Sequence, residues 1–319
     1  FSGFWIFLPP VIVATTLYLL YAKFYSFAPC VLMYVAWYYY SREWPESGCM
    51  KLDFFRKNPF ARAIMRCSSD YFSYKIVKTA ELPADRNYIV GSHPHGVACI
   101  GLGLSYGSNP SAAEYYEGCK GWGVTLAGQF LWPFRRECLM LAGVGIASRR
   151  FFEWLFGQDE KGQVAIVVIG GLNEAIITSP GKYYIKLLDR KGFVRVALEE
   201  GADLVPAFTF GENETYRTVT GICPKRLRNM QAHLINTFGF AHPFPIGRSM
   251  LGLPWGGLVP IKTRMVTVIG GPIRVEKSPN PTQEQVDHLH GEYCQKLIDL
   301  FESHKENYRI RPDQRIILY

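Results

Sequence analysis

The chain has 319 residues, of which 48% are hydrophobic, 15% aromatic and only 19% charged; 35 basic against 27 acidic side chains give a net charge of +8. That length allows one large domain or two modest ones, and the apolar excess over an ordinary soluble protein points to membrane contact. The basic balance favours an acidic lipid leaflet or a phosphate-bearing cofactor, and the lack of any reading motif argues against nucleic acid.

Residues 4–40 carry a single charge, Lys23. Two apolar runs, 4–21 and 24–40, each approach the roughly 20 residues that cross a bilayer. Pro9 and Pro10 should kink the first, and Trp5, Tyr21, Phe24, Tyr25 and the cluster from Trp37 to Tyr40 crowd the ends as at a membrane interface. The expectation is an N-terminal transmembrane helical hairpin over 1–41, crossing or deeply embedded, and a second domain over 42–319. The apolar length argues against a cleaved signal peptide. The chain begins at Phe1 rather than Met, so a native leader could be missing. From 52 to 74 basic and aromatic residues interleave, which suits a helix at a headgroup surface or one packing its rings inward.

The stretch 87–96 reads Asn-Tyr-Ile-Val-Gly-Ser-His-Pro-His-Gly. Tyr88, Ile89 and Val90 are strand formers, and Gly91 and Ser92 should end the run. His93 and His95 follow, with Pro94 stiffening the backbone between them and Gly96 relaxing it. Imidazoles at the carboxyl end of a buried strand suit proton transfer near neutral pH. Gly103 to Gly107 matches Gly-x-Ser-x-Gly, which would make Ser105 a nucleophile, but too little chain precedes it for the required strand. Residues 164–169 are an unbroken apolar run, the mark of a strand covered on both faces. It exits through Gly170 and Gly171 and delivers Glu174 to the carboxyl edge, where open α/β sheets place their sites. A carboxylate there could hold an imidazole tautomer.

Between 190 and 212 the pattern gives a helix closed by Gly201 and a strand over 204–210. Arg190, Lys191 and Arg195 near the helix start, with Arg149 upstream, are candidates for binding phosphates. A basic amphipathic helix is expected over 224–240, a Gly/Pro/Trp-rich segment over 244–260, a late strand over 265–269 and a final helix over 281–304. His233, His242, His288, His290 and His304 lie away from strand ends and read as structural. The eight cysteines are scattered without metal-ligand spacing, so reduced thiols and no structural metal are expected.

Several stretches together resemble the diacylglycerol acyltransferase type 2 group, with its monoacylglycerol and wax-alcohol acyltransferase relatives. They are His93-Pro94-His95-Gly96, Gly170-Gly171-x-x-Glu174-Ala175, the block from Arg190 to Pro206, Phe210-Gly211-Glu212-Asn213 and Trp255-Gly256-Gly257-Leu258-Val259-Pro260. The resemblance spans nearly the whole chain. It implies a glycerolipid-acyltransferase-like α/β fold, a mostly parallel central sheet flanked by helices, in an endoplasmic-reticulum membrane enzyme with a cytosolic catalytic domain, often on lipid droplets. Such an enzyme passes a long-chain acyl group from acyl-CoA, a co-substrate, to mono- or diacylglycerol without a cofactor. Oligomeric state stays open, a homo-oligomer included.

This sequence departs from the family pattern at Ser73, where proline is usual, and at Ser92, where an aromatic is common. The His-x-x-x-x-Asp spacing of more distant glycerolipid acyltransferases is absent, since Ala98 and Ile100 stand at the two possible positions. The leading mechanism has His95, oriented by Glu174, as general base, with His93 as its rival, and the oxyanion met near Gly96 or Gly170-Gly171. Alternatives are a hydrolase using Ser105, an acyl-enzyme on Cys99, a wax-alcohol acyltransferase and a non-enzymatic lipid binder.

Overall fold

The computed structural model describes residues 2–48, 57–106, 112, 115–218, 226, 229–231, 233, 245–249, 252 and 256–319, with side chains from residue 11 onward. Two helices open the chain, α1 (Ser2–Ala22) and α2 (Phe24–Tyr40), packed against each other as a hairpin. A short α3 (Trp44–Ser47) leads away from them. Helix α4 (Pro59–Phe72) starts where Asn58 accepts the Phe60 and Ala61 N–H groups at 3.0 and 3.2 Å, with Pro59 fitting the first turn.

The body then alternates: β1 (Lys75–Lys78), β2 (Tyr88–His93), α5 (Ile100–Leu104), β3 (Lys120–Thr125), α6 (Arg135–Leu141), β4 (Val144–Ile146), α7 (Arg149–Phe156) and β5 (Gln163–Val168). After these come α8 (Gly171–Ala175), β6 (Tyr183–Ile185), α9 (Gly192–Glu200), β7 (Asp203–Phe210), β8 (Arg217–Thr218), β9 (Pro245–Ile246), β10 (Val266–Ile269), α10 (Gln283–His304) and β11 (Ile316–Leu318). Of the expected helix over 224–240 only residues 226, 229–231 and 233 are described, and they are helical; half of 244–255, and residues 49–56 and 107, lie outside the described residues.

Seven strands form one sheet in the order β1-β10-β7-β2-β5-β3-β4, in which only the β10–β7 pair is antiparallel. This is the α/β, mostly parallel arrangement the apolar runs imply. In the centre β2 lies between β7 and β5, parallel to both. Period-2 alternation explains why these strands are so apolar. Ile89, Ala165 and Leu204 join the core under α7, α9 and α10, while Tyr88, Val90, Val164, Ile166 and Val205 join the core on the other face. The sheet's amino edge is locked by Asp203, fully buried, which holds Arg86 through two bonds, Arg274 at 2.9 Å and the Val275 N–H.

The strand carrying the histidines is longer than the local sequence suggests. Gly91 and Ser92 do not end β2, because both are paired to β5 and β7, and the ladder with β7 continues to His93. Tertiary pairing overrides the glycine signal. His93 is therefore a strand residue rather than a loop residue.

Among the described residues, no helix is long and apolar enough to cross a membrane; α1 has 21 residues and α2 has 17, the latter over the expected run 24–40. The hairpin is nevertheless fixed to the body. Arg136, 1% exposed, places its guanidinium on the Ser41 carbonyl and hydroxyl, where the dipole of α2 favours a cation. Neighbouring Glu137 accepts from Tyr34 at 3.0 Å and from the Trp37 indole at 3.3 Å.

Candidate active site

The carboxyl ends of β7, β2 and β5, three adjacent parallel strands, deliver Glu212, the His93–His95 pair and Glu174. Both carboxylates are 1% exposed. This edge is where an open parallel sheet leaves side chains without a covering strand or crossover helix.

The two histidines live in different surroundings. His93 is fully buried, and its Nε2 lies 3.0 Å from the Tyr293 hydroxyl. Because that hydroxyl donates to the Gly91 carbonyl at 3.3 Å, it accepts from His93, which puts the proton on Nε2. Burial pushes the His93 pKa down to about 3, so the ring stays neutral and sealed. His95 is only half-buried. Its Nδ1 lies 2.9 Å from the Gly96 carbonyl, which can only accept, so Nδ1 carries the proton and Nε2 keeps its lone pair. Burial lowers the His95 pKa as well. A neutral, half-buried imidazole with an unprotonated Nε2 has the form that accepting a proton requires.

Glu174 does not orient that imidazole. Its carboxylate accepts the backbone N–H of His95 and, at 3.0 Å, that of Lys186. The expected ring contact is replaced by a backbone contact, so Glu174 places the loop, while the Gly96 carbonyl sets the tautomer. The Glu174 carboxylate folds back against Gly170, and Gly171 starts α8 at a φ of +64°. Glu212, within the Phe210-Gly211-Glu212-Asn213 motif, accepts from Ile100 N–H at 3.0 Å and Gly101 N–H at 2.6 Å. Three N–H groups of the histidine loop are thus committed to carboxylates.

Cys99 touches the His95 ring, its Sγ lying 3.4 Å from both ring nitrogens. An atom equidistant from the two is aligned with neither lone pair. Burial, then the charges of Glu212 and Glu174, raise its pKa well above the ordinary thiol value, which disfavours a nucleophilic thiolate. Ser105 is buried after α5, not on a strand-to-helix elbow, and its hydroxyl donates to the Leu102 carbonyl at 2.9 Å. Both readings lose their chemical support.

The basic candidates do not gather into one cluster. Arg190 and Lys191 follow shortly after Lys186, whose N–H meets Glu174. Lys191 pairs with Asp287 at 2.7 Å, and Arg195 donates to the Gln283 side chain at 3.0 Å. Arg149 pairs with Glu153 and with Glu199, near the opposite end of α9 from Lys191. The helix separates them by about 12 Å.

Desolvation raises the Glu174 and Glu212 carboxyls from the ordinary 4.5 to about 7. The folded state therefore binds more protons than the unfolded chain between those values. Their contribution to stability is complete below pH 4.5 and is lost as pH rises through 7. Urea midpoints should fall across that interval, and Glu174→Gln should flatten the slope; an identical slope in the variant would contradict the assignment.

The family model described as diacylglycerol acyltransferase matches residues 18–319. The human 2-acylglycerol O-acyltransferase 3 is 36% identical over 285 residues, 89% of this chain and 82% of that protein. The Danio rerio diacylglycerol O-acyltransferase 2 is 34% identical over 310 residues, 96% of this chain and 84% of that protein. A solved 1-acyl-sn-glycerophosphate acyltransferase from Thermotoga maritima has a slight likeness, with 13% identity and a TM-score of 0.41 over 88% of this chain and 96% of that one.

Proposed function

The chain belongs to the diacylglycerol acyltransferase family, and from that membership we propose that it transfers a fatty acyl group from acyl-CoA to the free hydroxyl of a mono- or diacylglycerol, with His95 as general base. The observation that carries the role of His95 is its imidazole: half-buried, neutral, with Nδ1–H held by the Gly96 carbonyl and Nε2 unprotonated. His93, sealed against Tyr293, supports the strand end.

In the reaction the acceptor hydroxyl gives its proton to His95 Nε2 as its oxygen attacks the thioester carbonyl. The tetrahedral oxyanion needs backbone donors, which leaves out His95, Ile100 and Gly101, since their N–H groups serve Glu174 and Glu212. Gly96 and the Gly170-Gly171 turn remain the candidates. Collapse breaks the carbon–sulfur bond, and the proton on Nε2 passes to the departing thiolate, giving ester and free CoA. Arg190 and Lys191 are the better placed of the four basic candidates for CoA phosphates, being close in sequence to Lys186 beside Glu174; Arg195 is a turn further on, and Arg149 stands apart.

The hairpin gives this chemistry its setting. None of the residues of α2 is buried within the protein, and Leu17, Tyr21, Tyr25, Leu32 and Met33 are exposed. An apolar surface of this extent on a helical hairpin fits insertion into a lipid layer. The hairpin embeds in the endoplasmic-reticulum membrane or the lipid-droplet surface and, through Arg136 and Glu137, holds the catalytic edge within reach of dissolved neutral lipid.

The test is purified protein with labelled acyl-CoA against monoacylglycerol, diacylglycerol and a long-chain alcohol. Ester formed with an acylglycerol is expected. Product with the alcohol alone would move the enzyme to the wax branch, and lipid binding without product would leave only a lipid carrier. Cys99→Ser should keep activity within about threefold, because direct attack needs no thiol; its complete loss would favour an acyl-enzyme.

A further inference from the structure

Resting on the reading of His95 as base, we propose that Glu212 is a second positioning carboxylate: by accepting the Ile100 and Gly101 N–H groups, it holds the loop that carries His95 in its working shape. The loop leaves β2 at His93 and enters α5 at Ile100. Between them the backbone turns twice into the left-handed region, at Gly96 with φ +58° and at Cys99 with φ +50°. A non-glycine residue resists that conformation, so something must hold Cys99 there.

Glu212 meets that need from beneath. It follows β7, the strand next to β2, and reaches past Gly96 so closely that a Cβ there would lie 2.5 Å from its Cγ. Its two oxygens then take the first N–H groups of α5, which have no partner within that helix. Glu174 holds the other end of the loop at the His95 N–H. The imidazole hangs between two carboxylates on opposite neighbouring strands. Burial of Glu212 with no cation bonded to it among the described residues, its pKa raised to about 7 by desolvation, would be a poor arrangement for a merely structural group.

Displacing a catalytic group by about 1 Å can lower turnover about 10²-fold. Glu212→Gln keeps the side chain's shape but leaves only one acceptor oxygen for two donors. Turnover should fall about tenfold or more with KM for acyl-CoA within about twofold, and the rate at which diethyl pyrocarbonate modifies His95, read by peptide mass spectrometry, should change about threefold or more. Glu212→Asp, which retracts the carboxylate while keeping its charge, should behave alike. In the wild-type full chain, the Ile100 and Gly101 amides should exchange about tenfold more slowly than that of Ala98.

Near-normal turnover in Glu212→Gln would overturn the proposal. So would a turnover loss with unchanged His95 labelling, or equally fast exchange at Ile100, Gly101 and Ala98. The exchange measurement needs no variant and decides the matter if both substitutions fail to fold. Full activity in His95→Gln would remove the base assignment alone, because labelling and exchange report on the loop whether or not His95 moves a proton.

Discussion

His95→Gln should lower acyl transfer about a thousandfold while leaving the fold in place. Glutamine fills a similar volume and can still donate to the Gly96 carbonyl, so the half-buried site keeps its packing. What disappears is a nitrogen able to take a proton near neutral pH, and loss of a positioned acid–base group typically lowers rates by about 10² to 10⁴. The measurement is turnover with saturating acyl-CoA, alongside circular dichroism and melting. His93→Gln offers a contrast. It removes a buried donor from Tyr293, so its first effect should be a stability loss of about 1–3 kcal/mol. Comparable activity in wild type and His95→Gln would reverse the assignment of the two histidines or remove both.

Gly96→Val should be nearly as damaging for a different reason. The left-handed φ of +58° disfavours any side chain by about 1–2 kcal/mol, and a Cβ would lie 2.5 and 2.6 Å from Cγ and Oε1 of Glu212. Glu212 would have to swing away and abandon both α5 N–H groups. Leaving a buried carboxylate and two donors without partners adds at least another 1–3 kcal/mol. The expected result is a lowered melting temperature with turnover reduced about a hundredfold. Gly103→Ala is the control, since nothing lies within 4 Å of a Cβ there and the residue is helical. Half-normal turnover in Gly96→Val would show that the loop tolerates rearrangement.

Much of this site is readable from the chain itself. An apolar run followed by a flexible exit and a polar residue located both His95 after β2 and Glu174 after β5. The same rule applies to Glu212, which follows the apolar strand β7 and Gly211, although its motif by itself marks only the family. What Glu174 bonds could not be read at all. Sequence spacing places a carboxylate near an imidazole, but whether it meets the ring or the backbone depends on how far α8 turns before Glu174 emerges. The length of β2 is not legible locally, because Gly91 signals a break. In the fold it is glycine because the Tyr293 hydroxyl, 202 residues away, occupies the place of a Cβ. The attachment of the hairpin to the body is equally remote, with Arg136 and Ser41 95 residues apart.

Direct transfer, in which the acceptor hydroxyl attacks the thioester while His95 takes its proton, is tested most directly by separating the two substrates in time. Purified protein is first given acyl-CoA labelled in the acyl chain, with no acceptor, and a portion is analysed as intact protein; mono- or diacylglycerol is then added. The expected result is unlabelled protein and intact acyl-CoA in the first stage, followed by label appearing in the acylglycerol in step with CoA release. A labelled protein in the first stage, with the acyl group on Cys99 or Ser105 and passed on when acceptor arrives, would contradict it.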